Sequence, residues 1–334
     1  MSDLERNPAE VVGTGDCEGP ALELLEGREV VLGRSTTVRR LLPNKNRRMV
    51  GAWCFVDHYG PDDLTQRVDS YGVPGERGMQ VPPHPHTSLQ TVSWLFEGEI
   101  EHRDSVGSHA FVRPGELNIM TAGNGIAHSE VSTPDAPPRL HGAQLWVALP
   151  DGVRTTTPPA FNAYADLPRV DFDGAHATVM IGTVAGVTSP APAYTPLVGA
   201  DITIEPGRTL SLPLTPSNEY AVLVVEGSLT IGELSPGFGE MAYLGAGRES
   251  IELSAADGAR FLLLGGEPFE EQLVMWWNFI GRSHEEIVAA RDAWQQAIAD
   301  GGNARFPMVP GYEGDPLPAP ALPATALKPR PRAR

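Results

Sequence analysis

The sequence predicts an all-β protein built from two copies of one β unit in tandem, followed by a single C-terminal helix. Three observations carry this. Gly (36) and Pro (32) together make up about a fifth of the 334 residues, well above the roughly 12 per cent of average usage, and that frequency supplies turns and breaks helices. Short apolar or alternating runs lie between the turn signals, as strands do. One layout, strand then Glu-Gly turn then strand, occurs at Trp94 to Glu101 and again at Tyr220 to Ile231, which is the mark of a repeated unit.

Taken in order, the elements read as follows. The first 27 residues are polar and Gly-rich without a period of either kind, a flexible arm. Thr91 to Gly98 is an apolar strand entering a turn, and Glu99 to Asp104 alternates as its hairpin return would. Leu145 to Pro150 closes the first set. Pro158 to Ala160 and Ser189 to Pro196 read as connectors, and Asp201 to Gly207 opens the second set. Ser283 and Glu286 form a capping box, each side chain expected on the other's backbone N–H. Ile287, Trp294 and Ile298 follow at helical spacing and Gly301 stands where a C-cap belongs,. Trp276 and Trp277, just before the helix, read as core. Pro316 to Arg334 holds six prolines, no acid and four bases, an extended solvated tail,.

Charge narrows the function. Lys plus Arg is 25 against 42 Asp plus Glu, a net −17, which repels phosphate backbones and argues against broad nucleic-acid binding. The one local basic group, Arg39, Arg40, Lys45, Arg47 and Arg48, is either a docking patch for a protein partner or a solvated edge. Two cysteines, Cys17 and Cys54, give no disulfide framework. The N-terminus lacks the basic head and apolar stretch of a signal peptide, and no apolar run reaches the length of a membrane span. A cytoplasmic monomer is expected.

Seven of the nine histidines lie between His58 and His141. His84-Pro-His86 places two imidazoles on one face of a strand, and His128-Ser-Glu130 does the same for an imidazole and a carboxylate. If the two pairs converge across a barrel, they offer three imidazoles and one carboxylate. That set suits Fe(II), Mn, Ni, Cu or Zn and leaves one or two positions open; otherwise the four are polar residues at a barrel mouth. The remaining four read as peripheral. His58 sits in a turn near the site, His102 in a solvated charge run, His109 beside a Gly-Ser turn, and His141 before an apolar strand at the mouth.

Four ordered blocks now carry a family resemblance: Pro83-His-Pro-His86; Glu97-Gly-Glu-Ile-Glu-His-Arg-Asp-Ser105; Met120-Thr-Ala-Gly-Asn-Gly-Ile-Ala-His-Ser-Glu130; and Gln144-Leu-Trp-Val-Ala-Leu-Pro150. With Asp57-His-Tyr-Gly-Pro61 and Leu262-Leu-Leu-Gly-Gly-Glu-Pro268, the chain from Arg28 to Pro307 resembles the pirin family, bicupins of the cupin superfamily. The resemblance implies two tandem jelly-roll type cupin β-barrels. It implies one divalent metal, Fe(II) foremost, held in the first barrel by His84, His86, His128 and Glu130. The domains expected are an arm at 1–27, a metal-binding cupin barrel at 28–155, and a second barrel without a metal site at 156–270. A helix with a closing segment follows at 271–310, and the basic tail at 311–334. In the second barrel the repeat aligns Pro213 and Thr215 with the H-x-H pair. One block departs: Thr87-Ser-Leu-Gln90 stands where pirins commonly carry Arg-Gly-Phe-Glu, which changes charge beside the metal.

Two activities follow from the resemblance. One is a metal-dependent dioxygenase of quercetin 2,3-dioxygenase type, in which a flavonol or similar enol binds at the metal and O₂ cleaves its heterocycle. Glu130 would take the substrate hydroxyl proton, with Trp94, Phe96, Met120 or Trp146 as apolar walls. The other is a redox-sensing regulator of transcription or of a metabolic enzyme, acting through protein–protein contact.

Overall fold

The computed structural model describes residues 21–32, 36–64 and 78–333. Expectations that fall on residues 1–20, 33–35, 65–77 or Arg334 lie outside it, Cys17 among them.

The turn-rich pattern does produce two tandem β domains, each built on a seven-stranded sheet. The first domain's long sheet runs in the order Ala160–Tyr164, Leu117–Thr121, Leu89–Glu97, Arg139–Ala148, Trp53–Asp63, Thr36–Leu42, Arg28–Leu32. A four-stranded sheet faces it: Gln80–His86, Ile126–Val131, Ile100–Asp104, His109–Val112. The Glu97-Gly98 turn therefore does not make a hairpin. Leu89–Glu97 and Ile100–Asp104 belong to opposite sheets, and the chain crosses between them at Gly98, whose φ is 96°. A Cβ there would stand 2.6 Å from the Arg139 carbonyl oxygen, so the crossing requires glycine.

The second domain's long sheet runs Leu22–Leu25, Met241–Leu244, Glu219–Gly227, Ala259–Gly266, Leu197–Ile204, Ala175–Ile181, Arg169–Phe172. Its interior is packed with apolar side chains such as Leu210, Leu212, Val222, Val224, Leu253 and Phe261. The two domains trade their ends. Leu22–Leu25, expected in a flexible arm, pairs with Met241–Leu244, and Ala160–Tyr164, expected beyond the first barrel, pairs with Leu117–Thr121 inside it. The long sheets join across a shared core. Trp53 Nε1 donates to the carbonyls of Val198 and Gly265, and Trp94 Nε1 donates to Asp201.

The helix, His284–Asp300, starts at Ser283 and ends on a left-handed Gly301, burying Ile287, Ala290, Trp294 and Ala297. Only half of the capping box forms. Ser283 Oγ accepts from the Glu286 N–H, whereas the Glu286 carboxylate binds the Arg282 N–H and the Arg154 guanidinium. Trp277 is buried in the cluster beside the helix. No helix among the described residues is long and apolar enough to cross a membrane.

The basic segments are engaged inside the molecule. Arg40 and Asp57 form a bidentate ion pair with both side chains 0% exposed. Arg47 reaches Glu23 and lies over the Tyr243 ring, and Arg39 lies over Phe238. The tail docks too. Arg330 exchanges backbone hydrogen bonds with Leu273, and the Arg332 carbonyl accepts from the Arg48 and Met49 N–H groups. Arg332 Nη1 donates to Glu219 at 2.6 Å. Glu219 is buried and also accepts from Tyr243 Oη and the Gly51 N–H, so an interdomain carboxylate supplies what anchors a tail that charge pattern alone reads as solvated.

Two stability outcomes follow. Arg40→Leu strands the Asp57 carboxylate in the core and is expected to cost about 3–5 kcal/mol, read as a fall in the urea midpoint. Arg332→Ala removes one of several partners of Glu219 and is expected to cost about 1–2 kcal/mol. A tail that only floats in solvent would give no change in the same melt.

Candidate metal centre

The site begins with strand periodicity. Side chains two apart share a face, and three neighbouring strands of the four-stranded sheet each place one pair on the face that looks into the first barrel. Gln80–His86 contributes His84 and His86, Ile126–Val131 contributes His128 and Glu130, and Ile100–Asp104 contributes His102 and Asp104. The pairs are ladder neighbours rather than partners across a barrel: His128 stands opposite His84 on one side and Asp104 on the other. The register slips by one residue between His84 and Val81, at Pro82-Pro83. Neither proline has an N–H to give the ladder, and their strand is a sheet edge, where proline belongs.

The donor atoms of His84, His86 and His128 all lie within 4.8 Å of one another, and all three residues are 0% exposed. Glu130, 3% exposed, lies two residues along from His128 and does not join the three within that distance. Its Oε1 is 3.4 Å from Ser93 Oγ, which donates at 2.8 Å to Gln144 Oε1.

Each imidazole has its Nδ1 committed. His84 Nδ1 donates to the Pro82 carbonyl at 2.9 Å, and His86 Nδ1 donates to the Asn278 carbonyl at 3.2 Å. His128 Nδ1 faces His102 Nδ1 at 3.4 Å. The Nε2 atoms of His86 and His128 stand 3.1 Å apart. Burial pushes all three pKa values well below the ordinary histidine range, reinforced at His84 and His128 by the neighbouring imidazoles. At that separation the two nitrogens either share the proton of a neutral imidazole as a hydrogen bond or turn two bare lone pairs on one cation,. The donor set therefore fits a divalent transition metal.

The long sheet supplies the opposite wall. Phe55, Trp146, Thr91, Met120 and Phe161 stand side by side across it. Trp146 presents its ring edge-on to His86 at 5.1 Å, and Phe161 stacks on His102 at 4.2 Å. Of the four apolar wall residues expected, Met120 and Trp146 belong to this row. Trp94 and Phe96 occupy the other face, toward the second domain.

Three histidine expectations need correction. His102 is not in a solvated run; it is buried beside His128. The alternation Ile100, His102, Asp104 inward and Glu101, Arg103 outward was the available signal, masked by charge on both faces. His58 and His141 are on the far face of the long sheet, where their Nε2 atoms meet at 2.8 Å against Phe96 and Phe238. His109 is half exposed and pairs with Glu101, at the periphery as expected. Cys54 is buried and free, its thiol pushed up to about 12 by burial.

A tandem pair of cupin domains, the first with three convergent buried imidazoles, defines the class: a bicupin with a candidate metal centre. The comparisons give the family. The family model described as Pirin matches residues 35–147, and that described as Pirin C-terminal cupin domain matches residues 199–299. A Pseudomonas aeruginosa protein named "Putative quercetin 2,3-dioxygenase PA1205" is 45% identical over 302 residues, covering 90% of this chain and 91% of that one. A "Pirin-like protein" of Caulobacter vibrioides is 36% identical, covering 84% and 94%. The crystal structure of a quercetin 2,3-dioxygenase from Acinetobacter baumannii superposes with a TM-score of 0.84 at 38% identity, covering 91% and 97%. The chain belongs to the pirin family.

The interface histidines give a pH dependence. Burial, with the mutual field of the pair and the nearby Arg39, lowers His58 to about 3; burial, with Arg260 and Arg139, lowers His141 to about 4. Both values lie below the unfolded value of about 6.5, so the unfolded chain binds protons first. The pair's contribution is complete above about pH 6.5 and is lost as pH falls toward 3. The melting temperature is expected to drop over that window, with a shallower slope in the His58→Gln/His141→Gln double variant; parallel slopes would contradict the assignment.

Proposed function

We propose that the protein is a metal-dependent dioxygenase of the quercetin 2,3-dioxygenase type, acting in the cytoplasm on a flavonol or a similar enol with O₂. In this reading His84, His86, His128 and Glu130 hold one divalent transition metal, Fe(II) by preference. The observation that carries it is the convergence of three buried imidazoles whose donor atoms lie within 4.8 Å of one another. The names of the Pseudomonas protein and of the Acinetobacter structure support the same chemistry.

Bound there, the metal supplies Lewis acidity toward an enolate oxygen and a redox partner for O₂. The chain supplies the rest. Glu130, buried and within reach of Ser93 Oγ, accepts the substrate's hydroxyl proton, a transfer that needs hydrogen-bond contact in the bound pose. Ser93 Oγ stands 3.4 Å from that carboxylate on one side. Met120 and Trp146 offer the flat ring an apolar wall and keep bulk water from the reacting atoms. Of the basic group offered to a protein partner, Arg40 and Arg47 are paired within the chain, which weighs against the regulatory alternative.

Oxygen uptake over a flavonol panel, with protein reconstituted anaerobically with Fe(II), tests the reading. Multiple turnovers are expected, falling roughly 100-fold or more in His128→Ala. Bound iron without uptake would contradict the dioxygenase assignment and favour the redox-linked regulator.

A further inference from the structure

Among the buried polar groups facing the metal centre, His102 and Asp104 have no part in the donor set. They form a chain of contacts that ends on a donor. Asp104 Oδ1 accepts from the Val106 and Ser108 N–H groups at 3.0 and 2.9 Å. Asp104 Oδ2 stands 3.1 Å from His102 Nε2, and His102 Nδ1 stands 3.4 Å from His128 Nδ1. Asp104 is 0% and His102 2% exposed, and Phe161 stacked on His102 fixes the plane of its ring.

The polarity of this chain is set from one end. Asp104 Oδ1 takes two backbone N–H groups and Oδ2 faces the imidazole, the arrangement of a carboxylate that accepts on both oxygens,. In the neutral ring, that acceptor at Nε2 takes the N–H and leaves His102 Nδ1 bare,. His128 has one proton and an acceptor on either side, His102 Nδ1 at 3.4 Å and His86 Nε2 at 3.1 Å; the dyad supplies the acceptor that the tautomer with a bare Nε2 requires. His84 and His86 reach the same state through backbone carbonyls, which can only accept. His128 has no carbonyl in that place and is served by the dyad.

We infer that Asp104 and His102 are positioning residues that fix the tautomer and ring orientation of His128 so that its Nε2 faces the metal. The inference rests on the metal-centre reading above, and it deepens that reading by naming what tunes the third ligand. Carboxylate–histidine pairs behind a ligating histidine act in this way in metal sites generally.

The test is an inversion of polarity without a change of shape. In Asp104→Asn the side-chain oxygen stays with the two turn amides, because moving it would set NH₂ against both N–H groups. The new NH₂ then donates to His102 Nε2, which moves the His102 proton to Nδ1 and the His128 proton to Nε2, where metal should bind. Two-bond ¹H–¹⁵N spectra of the apo protein report the His128 tautomer directly. Zn(II) titrated against a chromophoric chelator reports affinity. The expected result is a change of the His128 tautomer from Nδ1–H to Nε2–H, with Zn(II) affinity lowered roughly 10- to 100-fold. His102→Phe keeps the stack on Phe161 and removes the acceptor, and a similar loss of affinity is expected. Asp104→Asn that leaves both tautomer and affinity as in wild type overturns the inference; should that variant not fold, unchanged affinity in His102→Phe does so. A wild type with Nδ1–H on His128 that takes up no Zn(II) supports the dyad and overturns the metal centre, so the two failures are separable.

Discussion

Four imidazoles and two carboxylates share one buried sheet face, and a buried polar group without a partner costs several kcal/mol. Much of the first domain is arranged around that requirement. The partners come from distant parts of the chain: the Pro82 carbonyl at a register slip, the Asn278 carbonyl from the segment before the helix, Trp146 from the long sheet, and Phe161 from a strand beyond the expected domain boundary. Each contact orients a ring as well as satisfying it. A centre with its donors preoriented in this way loses little freedom when a metal enters, which is the usual condition for tight and selective binding.

The two domains are locked together by the exchange of end strands and by a few directed contacts. Trp53 and Trp94 donate across the interface, and Glu219 gathers Gly51, Tyr243 and Arg332 from three parts of the chain. The second domain carries an apolar interior where the first carries imidazoles. This division is physically reasonable. The polar face of the first domain adds function at the expense of local stability, and the shared core with its neighbour offsets that cost. The tail closes the arrangement, and Leu317 N–H donates to the Pro83 carbonyl on the very edge strand that bears His84 and His86.

Much of this was legible in the sequence. Period-two spacing marks His84, His86, His128 and Glu130 as same-face pairs, and the repeated Glu-Gly turns mark two β units. The helix limits follow from Ser283 and Gly301, because caps are local chemistry. What escaped depends on distance along the chain. His102 looks solvated because Glu101 and Arg103 flank it with charge, and only the opposite sheet makes its face an interior. The tail looks solvated because its anchor, Glu219, is more than a hundred residues away. His58 and His141 look like parts of the site because they lie near it in sequence, yet odd and even positions of one strand face different neighbours. Strand exchange at Leu22–Leu25 and Ala160–Tyr164 leaves no local signal at all.

The central claim is that the convergent imidazoles hold a metal. Elemental analysis of protein produced in medium supplied with all the first-row divalent metals tests it most directly, beside a His84→Ala/His86→Ala variant of the same fold. The account predicts one transition-metal ion per chain in the wild type and none retained by the variant. Equal metal content in the two proteins, or a folded wild type that carries none, would contradict it.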